Sequence, residues 1–425
     1  MNEATGELML SESQQKTLTQ VGPGTPMGQL LRRYWLPAAA SCEVTPGSAQ
    51  RVRLLGEDLV LYRDTQGRPA LIDEFCPHRR TSMALGCVDD QGIRCPYHGW
   101  KFDGTGQCLE TPAEPANSRL KQHVKTTAYP LQELGGLIFA YMGPQPAPLL
   151  PRYDVFVREG MLRDIGVAML PCNWVQIMEN SVDPTHLEWL HGHHLAHTRA
   201  QSGQAAPTHY IKKHVKIGFD VFEFGIVKRR VLEGGSEEDD DWKVGHPLVF
   251  PFTLRVGAHR QHRLQIRVPV DDTHTRHYWY ACYEPAPGRT APPQEQVPVY
   301  EVPWRDAKGE YIVDFVDGQD IMACVSQGPI ADRTRETLGA SDQGVALYRR
   351  LLFEQVERVQ QGKDPIGIIR DPRLNQIIEL PQEREKYGKG DSFLAESIRM
   401  GHARHSPLME EIITLIQSAE PGRVP

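Results

Sequence analysis

The stretch CPHRRTSMALGCVDDQGIRCPYHGW, from Cys76 to Trp100, contains two cysteine–histidine pairs. One residue separates Cys76 from His78, two separate Cys95 from His98, and sixteen lie between the pairs. Thiolates and imidazoles on short loops indicate a metal site, and Cys₂His₂ ligation suits a structural Zn²⁺ ion. However, zinc fingers rarely begin with a one-residue gap, and each pair here mixes sulfur with nitrogen. The mixture favours a [2Fe–2S] cluster in which one iron takes both cysteines and the other both histidines.

Length and composition indicate a globular protein with room for a large core. The chain has 425 residues, of which 40% are hydrophobic, enough for two or three domains. The net charge of −7, without a dense basic patch, argues against nucleic-acid binding, and no run reaches the ~20 apolar residues of a membrane span. Without a signal-peptide pattern, and with sparse cysteines, we expect a cytoplasmic protein. The acidic run 237–241 is expected to be a solvated loop tip.

Changes in patterning divide the chain into three parts. Residues 1–39 contain two short helical patterns, broken at Gly22-Pro23-Gly24. Residues 40–150 contain short β-runs separated by turn sequences such as Thr65-Gln66-Gly67, and they end in a proline-rich linker. Residues 151–425 read as strands followed by helices, which predicts an α+β domain with helices packed against an antiparallel sheet.

A second group of metal-binding side chains lies in WVQIMENSVDPTHLEWLHGHHLAH, residues 174–197. Spacing alone does not identify the ligands among its histidines. His193 and His197 are four residues apart and would share one face of a regular helix, whereas His186 and His191 are five apart and diverge by about 140°. A kink or a bulge, which often occurs at functional sites, is needed to bring His186 and His191 together.

Both groups resemble the motifs of one protein family. C-x-H-x₁₆-C-x-x-H is the Rieske motif, and E-N-x-x-D-x-x-H-x-x-x-x-H resembles the iron segment of Rieske non-haem iron ring-hydroxylating oxygenases. VGPGTPMGQLLRRYWLPA and QGPIADRTRETLGASDQGVALYRRLL resemble the phthalate-dioxygenase-like branch, with its dehydrodivanillate O-demethylases. The resemblance implies an all-β Rieske domain, a helix-grip catalytic domain, a [2Fe–2S] cluster and a mononuclear Fe(II). It assigns the cluster to Cys76, His78, Cys95 and His98.

The same resemblance implies the ligands of the mononuclear iron. His186 and His191 would belong to a 2-His-1-carboxylate triad, which leaves coordination positions open for O₂. The stretch VDFVDGQDIMACVSQGPIADRTRETLGASDQG resembles the segment that supplies the carboxylate in this branch, and the match implies Asp320. Asp317 is the nearest rival, whereas Asp332 is expected to pair with Arg333 or Arg335 at the surface.

Three further residues of the iron segment take roles from the resemblance. Asp183 would bridge an iron-ligand histidine and a cluster histidine of a neighbouring subunit, so that the active site would exist only in an oligomer. A helix cap or turn before Pro184 is the structural alternative for Asp183. Glu179 and Asn180 would line or brace the iron site, and a purely structural role is open for both.

The resemblance also implies partners and chemistry. A homotrimer or stacked trimers would receive electrons from a separate NAD(P)H-dependent flavin iron–sulfur reductase. The chain would use O₂ to oxidise an aromatic acid, with O-demethylation of a methoxylated lignin-derived carboxylate favoured over cis-dihydroxylation of a phthalate or halobenzoate. A carboxylate substrate calls for arginines, and Arg263 and Arg267 share one face of a predicted strand with Gln265.

Two other classes of protein remain as alternatives. A Rieske electron carrier would need only about 100 residues, so the second group of ligands argues against it. A colourless zinc protein is the other alternative, and a visible spectrum distinguishes it from an iron–sulfur protein, since Zn²⁺ is d¹⁰.

Overall fold

The computed structural model describes residues 9–201, 203–205, 208–385 and 390–417, with side chains from 394 onward in the last range. Within these residues the chain forms four β-sheets, and its longer helices pack around the largest sheet. The predicted α+β class, an all-β part followed by an antiparallel sheet with helices, is confirmed.

Two short helices open the described chain, as the sequence predicts. α1 (Glu12–Thr19) begins with a capping box, in which the side chains of Ser11 and Gln14 each accept a hydrogen bond from the other's backbone N–H. α2 (Pro26–Leu31) begins with proline, whose missing N–H has no partner to lose at that position. The apolar residues of both helices join the main hydrophobic core.

Three small sheets follow, and together they carry the cysteine–histidine loops. The turn between the second and third strands has positive φ at Leu55 (46°) and Gly56 (78°), which splits the run RVRLLGEDLVLYRD into a hairpin. The sheets have the orders β1-β11-β10, β2-β3-β4-β9 and β5-β6-β7-β8. The strands are β1 (Trp35–Ala40), β2 (Ala49–Leu54), β3 (Glu57–Arg63), β4 (Pro69–Asp73), β5 (Cys87–Val88), β6 (Ile93–Arg94), β7 (Lys101–Phe102), β8 (Cys108–Glu110), β9 (Ala128–Tyr129), β10 (Leu131–Leu134) and β11 (Leu137–Tyr141).

The second half of the chain forms an eight-stranded sheet with the order β13-β14-β15-β16-β17-β18-β12-β19. All neighbouring strands are antiparallel except β12 and β19. The strands are β12 (Leu162–Leu170), β13 (His214–Phe222), β14 (Gly225–Leu232), β15 (His246–Val249), β16 (Thr253–Ala258), β17 (Gln261–Pro269), β18 (Thr275–Tyr283) and β19 (Val299–Glu301).

Helices cover one face of this sheet and hold the predicted iron ligands. α5 packs against β16 and β17 and is flanked by α8 and α9. The α-helices are α3 (Leu120–His123), α4 (Asp154–Val157), α5 (Trp174–Val182), α6 (Leu195–Gln201), α7 (Asp240–Lys243), α8 (Val316–Val325), α9 (Gln343–Gln360), α10 (Gly390–Met400) and α11 (Met409–Ile416). A π-helix, Leu187–His194, precedes α6.

Alternation along β17 separates the core from the functional face. Leu264, Ile266 and Val268 are buried in the main hydrophobic core, together with residues of α1, α2 and the first sheet. Arg263 and Gln265 lie on the opposite face, where they line a pocket with residues of α5 and α8. The period of two predicted for this strand is therefore confirmed.

The two halves of the chain are joined by backbone hydrogen bonds. Leu55 N donates to Pro269 O (3.1 Å) and Gly56 N to Val270 O (2.8 Å), so the β2–β3 turn packs against the β17–β18 turn. Among the residues that the structure covers, no helix is both long and apolar enough to cross a lipid bilayer.

The prediction that the acidic run 237–241 is a solvated loop tip is wrong at its end. Glu237, Glu238 and Asp239 are exposed, but Asp240 is half-buried and Asp241 is buried. Asp241 accepts a hydrogen bond from Arg230, so the last residue of the run belongs to the protein interior.

Candidate active site and metal centres

The cysteine–histidine loops are closed by their own backbone hydrogen bonds. Cys76 N donates to Thr81 O (2.9 Å), and Cys95 N donates to Trp100 O (2.8 Å). Gly99 has φ of +74°, a conformation that glycine adopts without strain, and its N–H donates to Cys95 O (3.1 Å). Each loop is a tight turn that presents its cysteine and histidine in the same direction.

The four predicted cluster ligands converge at the tips of these loops. The imidazole rings of His78 and His98 lie 4.5 Å apart between centroids, and the Trp100 ring stacks on His78 at the same separation. Cys76 and Cys95 are buried, whereas His78 is exposed. The sulfur side of the site is therefore shielded and the nitrogen side faces outward.

The chemistry of these donors fits a cluster with mixed ligands. Burial and, to a smaller extent, the neighbouring Cys95 raise the pKa of the Cys76 thiol to about 11, because burial disfavours the thiolate and two adjacent thiolates repel each other. A bound metal cluster removes this penalty, since coordinated sulfur is deprotonated by the positive charge. Two thiols facing two imidazoles match the Cys₂His₂ ligation of a Rieske [2Fe–2S] cluster.

A π-helix brings His186 and His191 together. α5 ends at Val182 with Asp183 as its C-cap, and the chain turns at Pro184 before the π-helix begins at Leu187. The wider π turn closes on the fifth residue, so side chains five apart share a face, whereas in an α-helix they would diverge. The ring centroids of His186 and His191 lie 5.3 Å apart, and the predicted bulge is confirmed.

Asp320, on α8, completes this group from a distant part of the chain. Its Oδ1 lies 3.1 Å from His191 Nε2 and 3.6 Å from His186 Nε2, and the three ligand atoms lie within 4.8 Å of one another. Asn180 Nδ2 donates to the same oxygen (3.2 Å) and holds the carboxylate in place. Two imidazoles and one carboxylate on one side of a pocket fit the facial triad of a mononuclear Fe(II) site.

Residues behind the two histidines fix their orientation. His191 Nδ1 donates to Gln319 Oε1 (3.0 Å), so Nε2, which faces Asp320, is the ring nitrogen available to a metal ion. His186 Nδ1 lies 3.5 Å from Asp183 Oδ2, so an oxygen acceptor lies behind this ring as Gln319 Oε1 lies behind His191. An acceptor behind each imidazole is the usual arrangement around metal-binding histidines.

Asp183 has two functions in this geometry. Its Oδ1 accepts hydrogen bonds from the N–H and hydroxyl of Thr185 (2.7 Å each), so it caps the turn that leads into the π-helix. Burial acts to raise the pKa of Asp183, but His186 and Thr185 lower it well below the ordinary value, and the group is an anion. The side chains of Asp183 and His186 remain 19% and 17% exposed, so this corner of the site is accessible from outside.

Glu179 lies apart from the triad, although the sequence places it beside Asn180. Its carboxylate pairs with Arg333 (2.7 Å) and Arg349 (2.7 Å), and both arginines are almost fully buried. Asp332, expected to pair with Arg333 or Arg335, accepts from Thr334 instead (2.6 Å). Glu179 thus ties α5 to Arg333, which precedes α9, and to Arg349, which lies within α9. It lies away from the predicted iron ligands.

Asp317, the rival third ligand, is occupied elsewhere. Its carboxylate accepts hydrogen bonds from Trp279 Nε1 (2.8 Å), Gln265 Nε2 (3.2 Å) and the backbone N–H of His402 (2.7 Å). Burial acts to raise the pKa of Asp317, and His402 lowers it well below the ordinary value. Because these donors surround the carboxylate, Asp320 is the residue left to face the two histidines.

The predicted arginines take different positions. Arg263 lines the pocket beside the triad, whereas Arg267 lies in a smaller cavity behind Asp320. Arg267 donates to the backbone and side-chain oxygens of Gln265, and burial lowers its pKa to about 10. Arg263 is therefore placed to meet a substrate, and Arg267 is placed to stabilise the carboxylates around the iron site.

Sequence reasoning missed the other cations of the pocket. Lys228 and Arg230 on β14 and His246 on β15 line the same pocket as His186 and His191. Lys228 and Arg230 are two residues apart on β14 and therefore share one face of the strand, but the sequence gives no sign that this face meets the triad. The pocket also has apolar walls, which include Leu187, Leu254, Val256, Val316 and Met400.

Comparison with known protein families covers most of the chain. Residues 34–130 match the Rieske [2Fe–2S] domain, and residues 140–295 and 307–380 match a domain described as LigXa C-terminal domain like. The chain belongs to the Rieske non-haem iron oxygenases. This Rieske oxygenase therefore has a [2Fe–2S] cluster and a mononuclear iron as its cofactors, and it is an oxygenase component that works with separate electron-transfer partners.

Curated relatives of this Rieske oxygenase are oxygenase subunits. It is 43% identical to the 5,5'-dehydrodivanillate O-demethylase oxygenase subunit of Sphingobium sp. (strain NBRC 103272 / SYK-6) over 404 residues, which cover 93% of this chain and 92% of the relative. It is 33% identical to the phthalate 4,5-dioxygenase oxygenase subunit of Pseudomonas putida, over 84% of this chain and 89% of the relative.

Solved structures agree in fold with this Rieske oxygenase at low identity. The terminal oxygenase of carbazole 1,9a-dioxygenase from Nocardioides aromaticivorans IC177 has a TM-score of 0.56 at 18% identity, covering 80% of this chain and 98% of its own. NdmA from Pseudomonas putida CBB5 has a TM-score of 0.58 at 20% identity, covering 79% and 94%.

Proposed function

We propose that this oxygenase subunit O-demethylates a methoxylated aromatic carboxylate. The observation that carries the proposal is the charge of the pocket: Lys228, Arg230 and Arg263 line the same pocket as His186 and His191. Three cationic side chains beside apolar walls suit an aromatic ring with a carboxylate better than a neutral hydrocarbon. The 43% identity to a dehydrodivanillate O-demethylase subunit supports the same substrate class.

A second candidate is cis-dihydroxylation of a phthalate or halobenzoate. The identity to the phthalate 4,5-dioxygenase subunit supports it, and a pocket built for carboxylates accepts either class. The two candidates differ in which carbon lies nearest to the triad, a methoxy carbon or two ring carbons. Pocket shape and the position of the cationic wall decide that placement.

The chain's own residues have separate tasks in this proposal. Cys76, Cys95, His78 and His98 would hold the cluster, and His186, His191 and Asp320 the iron. When bound, these groups supply two electrons for the reduction of O₂ beside the substrate. The pocket cations anchor the substrate carboxylate and the apolar wall packs against the ring, so the reacting carbon is held beside the triad. Gln319 and Asp183 keep the two iron-site histidines oriented.

We propose that electrons reach the iron from the cluster of a neighbouring subunit, through Asp183. Its exposed corner and the exposed His78 support this route, since both can be approached from outside the chain. A carboxylate that accepts N–H bonds from two imidazoles provides a short connection between them. The proposal requires a homotrimer or stacked trimers.

We propose further that the electron donor is an NAD(P)H-dependent flavin iron–sulfur reductase.

The cytoplasm remains the predicted location because the cysteines are sparse and free. The boundaries 1–39, 40–150 and 151–425 remain predictions as well. β1 begins at Trp35 and pairs with β11, so the first boundary falls within a strand of the Rieske half.

A product screen tests the proposed function. Holoenzyme with a generic NADH-dependent reductase is given 5,5'-dehydrodivanillate, phthalate and 3-chlorobenzoate, and O₂ uptake, formaldehyde and cis-diols are measured. We expect formaldehyde in equal amount to the demethylated phenol from the methoxylated compound. A cis-diol from phthalate without formaldehyde would favour the second candidate. Absence of substrate-dependent O₂ uptake with all three compounds would contradict the proposed substrate class.

A further inference from the structure

Two buried carboxylates lie directly behind the cationic wall of the pocket. Glu383 Oε1 is 2.5 Å from His246 Nε2, and their side chains are 0% and 7% exposed. Asp241 Oδ1 is 2.7 Å from Arg230 Nε, with 9% and 3% exposure. Asp241, His246 and Glu383 have ligand-type atoms within 4.8 Å of one another, so the two pairs form one cluster. His246 and Arg230 are also the members that line the pocket.

The two carboxylates come from segments outside the large sheet and lie behind the pocket. Asp241 lies on α7, at the end of the acidic run 237–241, and Glu383 lies beyond residue 380, where the family match ends. Asp240 accepts hydrogen bonds from the backbone N–H groups of Arg384 (2.9 Å) and Glu385 (3.1 Å). The acidic run therefore fastens the C-terminal segment beside β15, and that segment places Glu383 behind the His246 ring.

Charged groups surround His246, and they indicate how the buried carboxylates act on the pocket. Lys228 lies opposite His246 in the β14–β15 register, Arg230 lines the same wall, and Asp241 and Glu383 lie behind. A carboxylate in direct contact with a buried imidazole fixes the ring orientation and favours its cationic form. A histidine held in this way adds a hydrogen-bonding group of fixed orientation to the wall beside Lys228 and Arg230.

We propose that Glu383 is a substrate-positioning residue that acts through His246, which selects anionic aromatic substrates together with Arg230 and Lys228. The inference rests on the proposed function, because it requires a carboxylate in the pocket. Glu383 itself is separated from the pocket by His246. Exchanging Glu383 therefore changes recognition only as far as it changes His246.

Ligand binding in a double-mutant cycle tests this coupling. Anaerobic holoenzyme is titrated by calorimetry with 5,5'-dehydrodivanillate and with its neutral diamide, using wild type, Glu383→Gln, His246→Gln and the double variant. We expect each single variant to weaken binding of the dicarboxylate by about tenfold, and the double variant to lose no more than either single one. Binding of the diamide should change by less than twofold. Melting temperature and the visible spectrum of the cluster verify folding.

A matched control comes from the same acidic run. Glu238 is exposed and pairs with Lys243 at the surface, so Glu238→Gln should leave both Kd values within twofold of wild type. Should Glu383→Gln fail to fold, His246→Gln alone decides, because it must lose affinity for the dicarboxylate and not for the diamide.

Several results would overturn the inference. Losses that multiply in the double variant would mean that Glu383 acts independently of His246. Equal losses for the diamide would indicate a general collapse of the pocket, and an unchanged Kd would leave Glu383 no role in recognition. One zinc per chain that disappears with Glu383→Gln would identify the cluster as a structural metal site instead. If wild type binds neither compound, the proposed substrate class and this inference both fail, whereas normal wild-type binding confines any failure to this inference.

Discussion

The cluster loops and the iron site assemble metal ligands in opposite ways. The four cluster ligands lie in one short stretch, on two turns closed by their own backbone hydrogen bonds. The iron ligands come from the start of the π-helix segment and from α8, which contact each other only when the catalytic half is folded. A local site depends on its loops, whereas a non-local site depends on the whole catalytic fold. Changes at the two sites should therefore have different consequences.

The largest effect is expected from a variant that loses the mononuclear iron and keeps the cluster. Asp320→Ala removes the carboxylate of the triad, so we expect loss of mononuclear iron and a fall in turnover by more than about a hundredfold. The red-brown spectrum of the cluster should remain, because the loops do not depend on α8. Iron analysis measures the loss of the mononuclear iron, and the visible spectrum measures the retention of the cluster. Asp332→Ala, an exposed aspartate on the same segment, is the control, and full activity of Asp320→Ala would exclude it as a ligand.

A second change tests the connection between the sites. Asp183→Asn keeps the size and the cap to Thr185 but removes the charge beside His186. We expect both metals to stay bound and coupled electron transfer to fall by about ten- to a hundredfold. Rapid-mixing kinetics of cluster reoxidation in the presence of substrate and O₂ measure this step. Reoxidation at the wild-type rate would remove the bridging role.

The orientation of His191 gives a smaller effect. Gln319→Leu keeps a similar volume and removes the acceptor of the Nδ1–H group. We expect the affinity for Fe(II) to fall by about tenfold, while the cluster spectrum stays unchanged. Competition with a chromophoric chelator measures the affinity. An unchanged affinity would show that packing alone orients the ring.

Packing of the π-helix gives the next effect. A Cβ on Gly192 would lie 2.8 Å from the backbone oxygen of Tyr210, so Gly192→Ala forces two backbone segments apart. We expect a loss of stability of about 1–3 kcal/mol and weaker iron retention. Thermal denaturation of the apo- and iron-loaded forms measures the two contributions. Gly203→Ala is no suitable control because of its positive φ, whereas Gly22→Ala meets open space and should be neutral to packing.

The smallest effect concerns a buried carboxyl group in the catalytic half of the chain. Asp164 is fully buried, and burial raises its pKa to about 7. The folded state binds the proton of the Asp164 carboxyl group more tightly than the unfolded chain does. The stabilisation that this proton provides is therefore complete below about pH 4 and is lost as the pH rises through 7. Asp164→Asn should therefore stabilise the protein at pH 8 and change little at pH 4, where the carboxyl group is already neutral in the folded state. Denaturation at both values checks the sign, and equal shifts at both would contradict the raised pKa.

What the sequence predicts follows the same division between local and non-local structure. Spacing alone indicates a mixed cysteine–histidine metal site, because the ligands and their turns lie in one stretch. It also predicts that His186 and His191 need a bulge. The choice of Asp320 over Asp317 rests on resemblance, since only the folded chain shows Trp279, Gln265 and His402 surrounding the carboxylate of Asp317.

The pocket itself lies beyond what sequence patterns predict. Lys228, Arg230 and His246 converge with the triad through strand order and sheet twist, which leave no mark on the spacing of residues. The acidic run 237–241 shows the same limit. Five consecutive acidic residues usually form a solvated surface, and nothing in the run distinguishes Asp241, whose partner Arg230 lies on β14.

The π-helix has an evolutionary consequence. A π turn differs from an α turn by one extra residue, so deleting a single position between His186 and His191 would set them four apart, on one face of an ordinary α-helix. The extra residue preserves the pair of imidazoles while it widens the backbone cylinder at that point and shifts the register of everything downstream. Selection can thus re-aim the active site by insertion, without exchanging a single ligand.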